Sequence, residues 1–94
     1  MTAGQIWRRP DGLQWVEVQR PAVEASGWRL MVPLVGLQDA PDAPPLVVTL
    51  GEWRARVHLL TGVPDHRLGQ TDSELSPDQV TKLKTAVRAL VVGN

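Results

Sequence analysis

Residues 46–59 read Leu46-Val47-Val48-Thr49-Leu50-Gly51-Glu52-Trp53-Arg54-Ala55-Arg56-Val57-His58-Leu59, and this stretch decides the fold class. Two β-prone runs flank Gly51-Glu52, which places glycine first in a two-residue loop. A type II′ hairpin turn needs positive φ at that position, and glycine adopts it without steric cost. The pattern predicts antiparallel strands over 46–50 and 53–59. In the second, Trp53, Ala55, Val57 and Leu59 alternate with Arg54, Arg56 and His58. One face is expected on the core, the other solvated and cationic.

Outward from the hairpin, the N-terminal half reads as further strands punctuated by turns. Gln5 to Arg9 is a short strand stopped by Pro10-Asp11-Gly12, where Pro presets φ and Gly permits the reversal. Leu13 to Gln19 follows, with Val16 and Val18 on one face, then a turn at Ala25-Ser26-Gly27 and a strand from Trp28 to Val35. Pro33 inside that strand predicts an edge position or a bulge, because it cannot donate a ladder hydrogen bond. Gly36 to Pro45 carries Pro41, Pro44 and Pro45 and is expected to be a loop, long enough to serve as a contact surface.

Toward the C-terminus the period changes. Ser76 is a natural helix cap, Pro77 suits the first helical position, and Gln79 completes a capping box. Val80, Leu83, Val87, Leu90 and Val91 recur at helical spacing, and Gly93 follows as terminator. This apolar stripe is expected to face a core or a second copy of the chain. The whole, residues 1–94, is expected to be one domain: mostly β (α+β), with a C-terminal helix.

Composition narrows the function. Ten basic and ten acidic side chains cancel, whereas a domain held mainly by phosphates usually carries a basic excess. There is no cysteine, so neither a disulfide nor a thiolate metal site is available. No apolar run is long enough to span a bilayer, and Met1 to Arg9 lacks the order of a signal peptide; a cytoplasmic protein with no membrane partner is the expectation. Four Trp (Trp7, Trp15, Trp28 and Trp53) stand beside no Phe and no Tyr, and they are expected to fill much of the core.

Enzyme motifs are sparse. Gly51, Gly62 and Gly69 lack phosphate-loop spacing. His58 and His66 lack the spacing of a helical zinc site, and Ser26, Ser73 and Ser76 have no evident base. No cofactor and no metal is expected. One constellation fits RNA chemistry: Arg54, Arg56 and His58 share a strand face, with Thr61 and Arg67 close behind. Metal-free RNA cleavage needs a group that takes the 2′-hydroxyl proton and cations that stabilise the phosphorane. An ordinary solvated face has the same composition.

Taken together, these segments resemble the CcdB family of toxins. The resemblance rests on Trp15-Val16-Glu17-Val18-Gln19, on Gly27-Trp28-Arg29-Leu30-Met31-Val32-Pro33-Leu34, and on Pro45-Leu46-Val47-Val48-Thr49-Leu50-Gly51-Glu52. Thr61, Val63-Pro64, Leu68-Gly69 and the helix opened by Leu75-Ser76 follow in the family's order, so the likeness covers about residues 15–93. It implies an SH3-like small barrel of CcdB/MazF type and a homodimer with its C-terminal helices near the two-fold axis. It also implies a cognate antitoxin that wraps the toxin with a disordered tail. The implied activity is not enzymatic: such toxins inhibit DNA gyrase by binding its A subunit, without direct nucleic-acid contact. The residues matching the family's gyrase-binding end are Val92, Gly93 and Asn94. Only Gly93 agrees with the family's Trp–Gly–Ile, which implies a weakened activity here.

The same superfamily offers an alternative. The MazF/PemK toxins share the barrel and cleave messenger RNA without metal. Arg20-Pro21-Ala22-Val23 resembles their Arg–Pro segment, and Arg67-Leu68-Gly69 is loosely similar to a later one. On that reading Arg20, Arg54, Arg56 and His58 are the candidate catalytic residues. A non-toxic dimeric binding module is the third possibility.

Overall fold

A computed structural model describes residues 3–18 and 27–92. The strands are β1 (Gln5–Arg8), β2 (Gln14–Glu17), β3 (Trp28–Gly36), β4 (Val47–Leu50), β5 (Trp53–Arg56), β6 (Thr61–Pro64) and β7 (Gln70–Glu74). Single 3-10 turns occupy Val57–Leu59 and Asp65–Arg67, and α1 (Pro77–Val92) follows β7. All seven strands join one antiparallel sheet in the order β4-β5-β3-β2-β1-β7, with β6 attached to β3. The expectation of a mostly-β small barrel closed by a C-terminal helix is borne out.

The nine-residue β3 organises the sheet. Leu34 pairs with both Gln14 and Ala55, and Met31 with both Glu17 and Thr61. Hence β5 and β6 lie end to end on the side of β3 away from β2. The Val18 N–H donates to the Leu30 carbonyl at 3.0 Å, which sets the phase of the ladder: residues 30, 32 and 34 bond toward β2 and the odd residues turn the other way. Pro33 falls where β3 passes from β6 to β5. It therefore needs neither the edge strand nor the bulge that the sequence predicts, because its absent N–H points into a gap in the ladder.

The two faces of the sheet bury different clusters. Ile6, Val16, Val32 and Leu34 face the main core with Val48, Leu50, Ala55 and Val57, and Leu75, Leu83 and Ala86 close it from the helix side. Burying a Leu or Ile side chain contributes about 1.5–3 kcal/mol. The opposite face carries Trp7, Trp15, Glu17 and Met31, on which Val63 and Leu68 form a smaller cluster. The helix begins as the capping box requires. The Gln79 N–H donates to Ser76 Oγ at 3.2 Å, and the Ser76 N–H to Gln79 Oε1 at 2.8 Å.

Several expectations are corrected. The strand begun at Trp53 ends at Arg56, and the 3-10 turn at Val57–Leu59 breaks the alternation, leaving Leu59 exposed. The four Trp do not fill the core: Trp28 is 53% exposed and the others are half-buried. Val91 lies outside the buried stripe at 69% exposure, because the face turned to the core is the one carrying Leu83, Ala86, Val87 and Leu90. The hairpin turn is as expected, with Gly51 at φ 64° and Leu50 paired with Trp53.

Candidate nucleic-acid interface

The second face of the sheet opens into a groove of about 600 Å³. Arg9 and Pro10, from the β1–β2 turn, line one side. Residues 61–64 of β6 and the turn carrying His66 and Arg67 line the other, with Trp15 between. Arg9, His66 and Arg67 bring three basic side chains to its rim, and among the described residues no carboxylate lines it. A chain with zero net charge thus brings two guanidinium groups and an imidazole to one concavity, which is a footprint that suits a polyanion.

Strand geometry explains the floor. Trp15 pairs across the ladder with Trp7, so both rings lie on the face opposite the main core. The Trp15 indole N–H donates to the Leu68 carbonyl at 3.3 Å. The Arg9 guanidinium stands over the Trp15 ring, 5.4 Å from its centroid, and also pairs with Asp11 at 3.0 Å. An aromatic floor with a stacked guanidinium is the arrangement on which unstacked bases are held.

Beneath the rim lies a charge network. Glu17, two residues beyond Trp15 on the same face, is fully buried. Its carboxylate accepts from Arg29 Nη1 at 3.0 and 3.2 Å and from the Trp7 indole at 3.3 Å. Arg29 stacks on Trp7 at 5.4 Å and reaches Asp65 through Nε at 3.2 Å. Asp65 starts the turn that presents His66 and Arg67, and its own N–H is held by the Gly27 carbonyl at 2.9 Å. The rim is thereby tied to a buried anion.

The side chains nominated from sequence are elsewhere. Arg54 and Arg56 are half-buried rather than solvated. The loop after β3 folds back over them: Arg54 Nε donates to the Ala40 carbonyl at 3.0 Å, Arg54 Nη1 bonds Thr49 Oγ1, and Thr49 Oγ1 donates to Asp42 at 2.9 Å. Arg56 Nε is buried with no partner among the described residues. His58 is exposed in the 3-10 turn, its Nδ1 3.2 Å from the Leu46 carbonyl. None of the three lines the groove. Arg20, Gly93 and Asn94 lie outside the described residues, and Val92 is the last residue of α1. Thr61 and Arg67, named as neighbours of that constellation, do line the groove. Sequence reasoning assigns Arg9 and the Glu17–Arg29–Asp65 network no role in a site, and it points to Trp15 only as a core residue. The available signal was Trp15 and Glu17 at i and i+2 on one strand, facing Arg29 on the next.

No group of three or more His, Cys, Asp or Glu that could hold a metal occurs among the described residues. A second concavity, of about 350 Å³ beside Trp53, is lined by Asp39 and Glu52 and, among the described residues, by no cation. The two concavities therefore have opposite character.

No protein-family model and no curated protein matches the sequence. Solved structures do match the fold. An endoribonuclease from a mycobacterial species superposes with a TM-score of 0.83 at 20% identity, covering 99% of this chain and 91% of its own. An endoribonuclease solved in complex with its cognate antitoxin, also mycobacterial, gives 0.82 at 20% identity over 99% and 95%. The likeness is one of fold. It corrects the expectation of a non-enzyme: the fold of this chain is shared with proteins named as endoribonucleases, and neither neighbour is named as a gyrase inhibitor.

Proposed function

We propose that the protein is the toxin of a toxin–antitoxin pair and acts as a metal-independent endoribonuclease on single-stranded RNA held in this groove. The observation that carries the reading is the gathering of Arg9, His66 and Arg67 around Trp15 in a concavity that no carboxylate among the described residues lines. The fold shared with endoribonucleases, one of them bound to its antitoxin, supports it.

The chemistry follows from the side chains. His66 takes the proton of a 2′-hydroxyl, the 2′-oxygen attacks the adjacent phosphorus, and the bond from phosphorus to the 5′-oxygen breaks. The 5′-oxygen takes a proton from solvent water as it leaves, giving a 2′,3′-cyclic phosphate and a 5′-hydroxyl end. Arg67 and Arg9 face the phosphate as negative charge builds on its oxygens, and the Thr61 hydroxyl offers a neutral hydrogen bond. Single strands are preferred over duplex because the Arg9–Trp15 stack must receive an unstacked base. The antitoxin, on this reading, neutralises the toxin by covering the same concavity, and a second copy of the chain is its oligomeric partner.

The test is cleavage of a labelled single-stranded RNA by the purified protein in excess EDTA, with product ends identified by mass. Cyclic-phosphate ends that disappear in Arg67→Ala and His66→Ala support the proposal. Intact RNA at a large molar excess of folded protein rejects it.

A further inference from the structure

We propose that the outer edge of β6 reads one RNA base through the backbone of Gly62, an inference that rests on the endoribonuclease reading. Four consecutive residues, 61–64, line the groove. Side chains of a strand alternate between its faces, so four in a row share one wall only where the groove runs along the strand's edge. That edge is open among the described residues, where β6 pairs with β3 alone.

The phase of the ladder says which groups it offers. The Asp65 N–H bonds to the Gly27 carbonyl, and this pair is in register with Arg29–Val63 and Met31–Thr61. Antiparallel residues alternate between bonding inward and turning out. Thr61 and Val63 therefore bond to β3, whereas Gly62 and Pro64 turn their backbone groups to the groove. Pro64 has no N–H, which leaves Gly62 as the sole outward donor on β6, flanked by its own carbonyl and that of Pro64. One donor beside an acceptor matches the edge of a nucleobase, which presents the complementary pair. Arg9, lying over the Trp15 ring, presents the plane on which the same base stacks, and Arg67 supplies charge for its phosphates. An extended peptide would also accept this edge, but the basic rim favours the polyanion.

The edge can be altered without touching the ladder. Gly62→Pro deletes only an outward N–H, as Pro64 already does two residues on. Gly62→Ala keeps that N–H, and its Cβ would sit 3.6 Å from the Trp28 ring, an ordinary contact. The experiment is to digest a random-sequence single-stranded RNA pool with wild type and both variants, and to sequence the cleavage sites. Only Gly62→Pro is expected to flatten the base preference at one position, by about tenfold or more. The amide resonance of Gly62 in the wild type provides a second readout that needs no variant. It should shift when a non-cleavable 2′-deoxy oligonucleotide binds. Cleavage with the same preference in Gly62→Pro, or a Gly62 amide that stays put while the His66 and Arg67 signals move, overturns the inference and leaves the endoribonuclease reading standing. Wild type that neither binds nor cleaves the pool, yet takes up an acidic peptide along β6, overturns both.

Discussion

Arg29 donates through one nitrogen to both carboxylate oxygens of Glu17, at 3.0 and 3.2 Å, and that carboxylate is fully buried. A buried charge pair adds little net stability against a well-packed apolar pair, yet losing one member strands the other charge in low dielectric. Arg29→Met is therefore expected to cost about 3–5 kcal/mol in urea unfolding. The double variant Arg29→Met with Glu17→Met should regain most of that loss. A single variant that costs less than about 1 kcal/mol would show that Glu17 is not held as an ion.

The outer end of the same network behaves differently. Asp65 is 47% exposed and meets Arg29 at 3.2 Å, and an exposed pair of this kind contributes only about 0–1 kcal/mol. Asp65→Asn should leave unfolding nearly unchanged. It should loosen the turn that presents His66 and Arg67 and releases the Leu68 carbonyl from its place over Trp15. Faster hydrogen exchange of the Trp15 indole N–H, with the Trp7 indole unaffected, is the expected signature. Equal exchange of both would separate Asp65 from the order of the groove.

Gly69 marks where the chain after that turn crosses the end of β1. Its φ is +88°, and a Cβ there would lie 2.2 Å from the Arg8 carbonyl oxygen and 2.9 Å from the Arg9 Cα. Gly12 has a similar φ of +90° with nothing within 4 Å. Both Ala variants incur left-handed strain of about 1–2 kcal/mol. Only Gly69→Ala forces backbone apart, so it should destabilise by clearly more in thermal unfolding. Equal losses would mean that the crossing is free to open.

The sequence-based expectations succeed where local chemistry decides. Gly51 demands a turn, Ser76 and Gln79 cap each other, and alternation in β5 holds through Arg56. They fail where a long-range contact decides. Arg54 looks like a solvated cation because nothing near it in sequence predicts that Ala40 will accept its hydrogen bond. Pro33 looks like an edge residue because the change of partner along β3 is invisible until β5 and β6 are placed. The groove is legible only in fragments, since Arg9, Trp15, Gly62 and Arg67 come from four separate segments that the sheet brings together. The resemblance to a barrel toxin leads to the right fold and to a non-enzymatic activity that the structural neighbours correct.

Placement of the cations makes the last prediction selective. Each phosphate contact on single-stranded nucleic acid releases counterions and contributes about 0.7 to the slope of log affinity against log salt. Arg67 is exposed at the groove, so Arg67→Ala should weaken binding to a non-cleavable single-stranded oligonucleotide and lower that slope by about 0.7. Arg54 is committed to Ala40 and Thr49 beneath a loop. Arg54→Ala should cost folding stability, as a lost hydrogen-bonded side chain does, while leaving the slope as it is in wild type. Measuring anisotropy from low to moderate salt separates these outcomes. A slope that falls with Arg54 and not with Arg67 would move the phosphate path out of this groove and onto the β4–β5 hairpin.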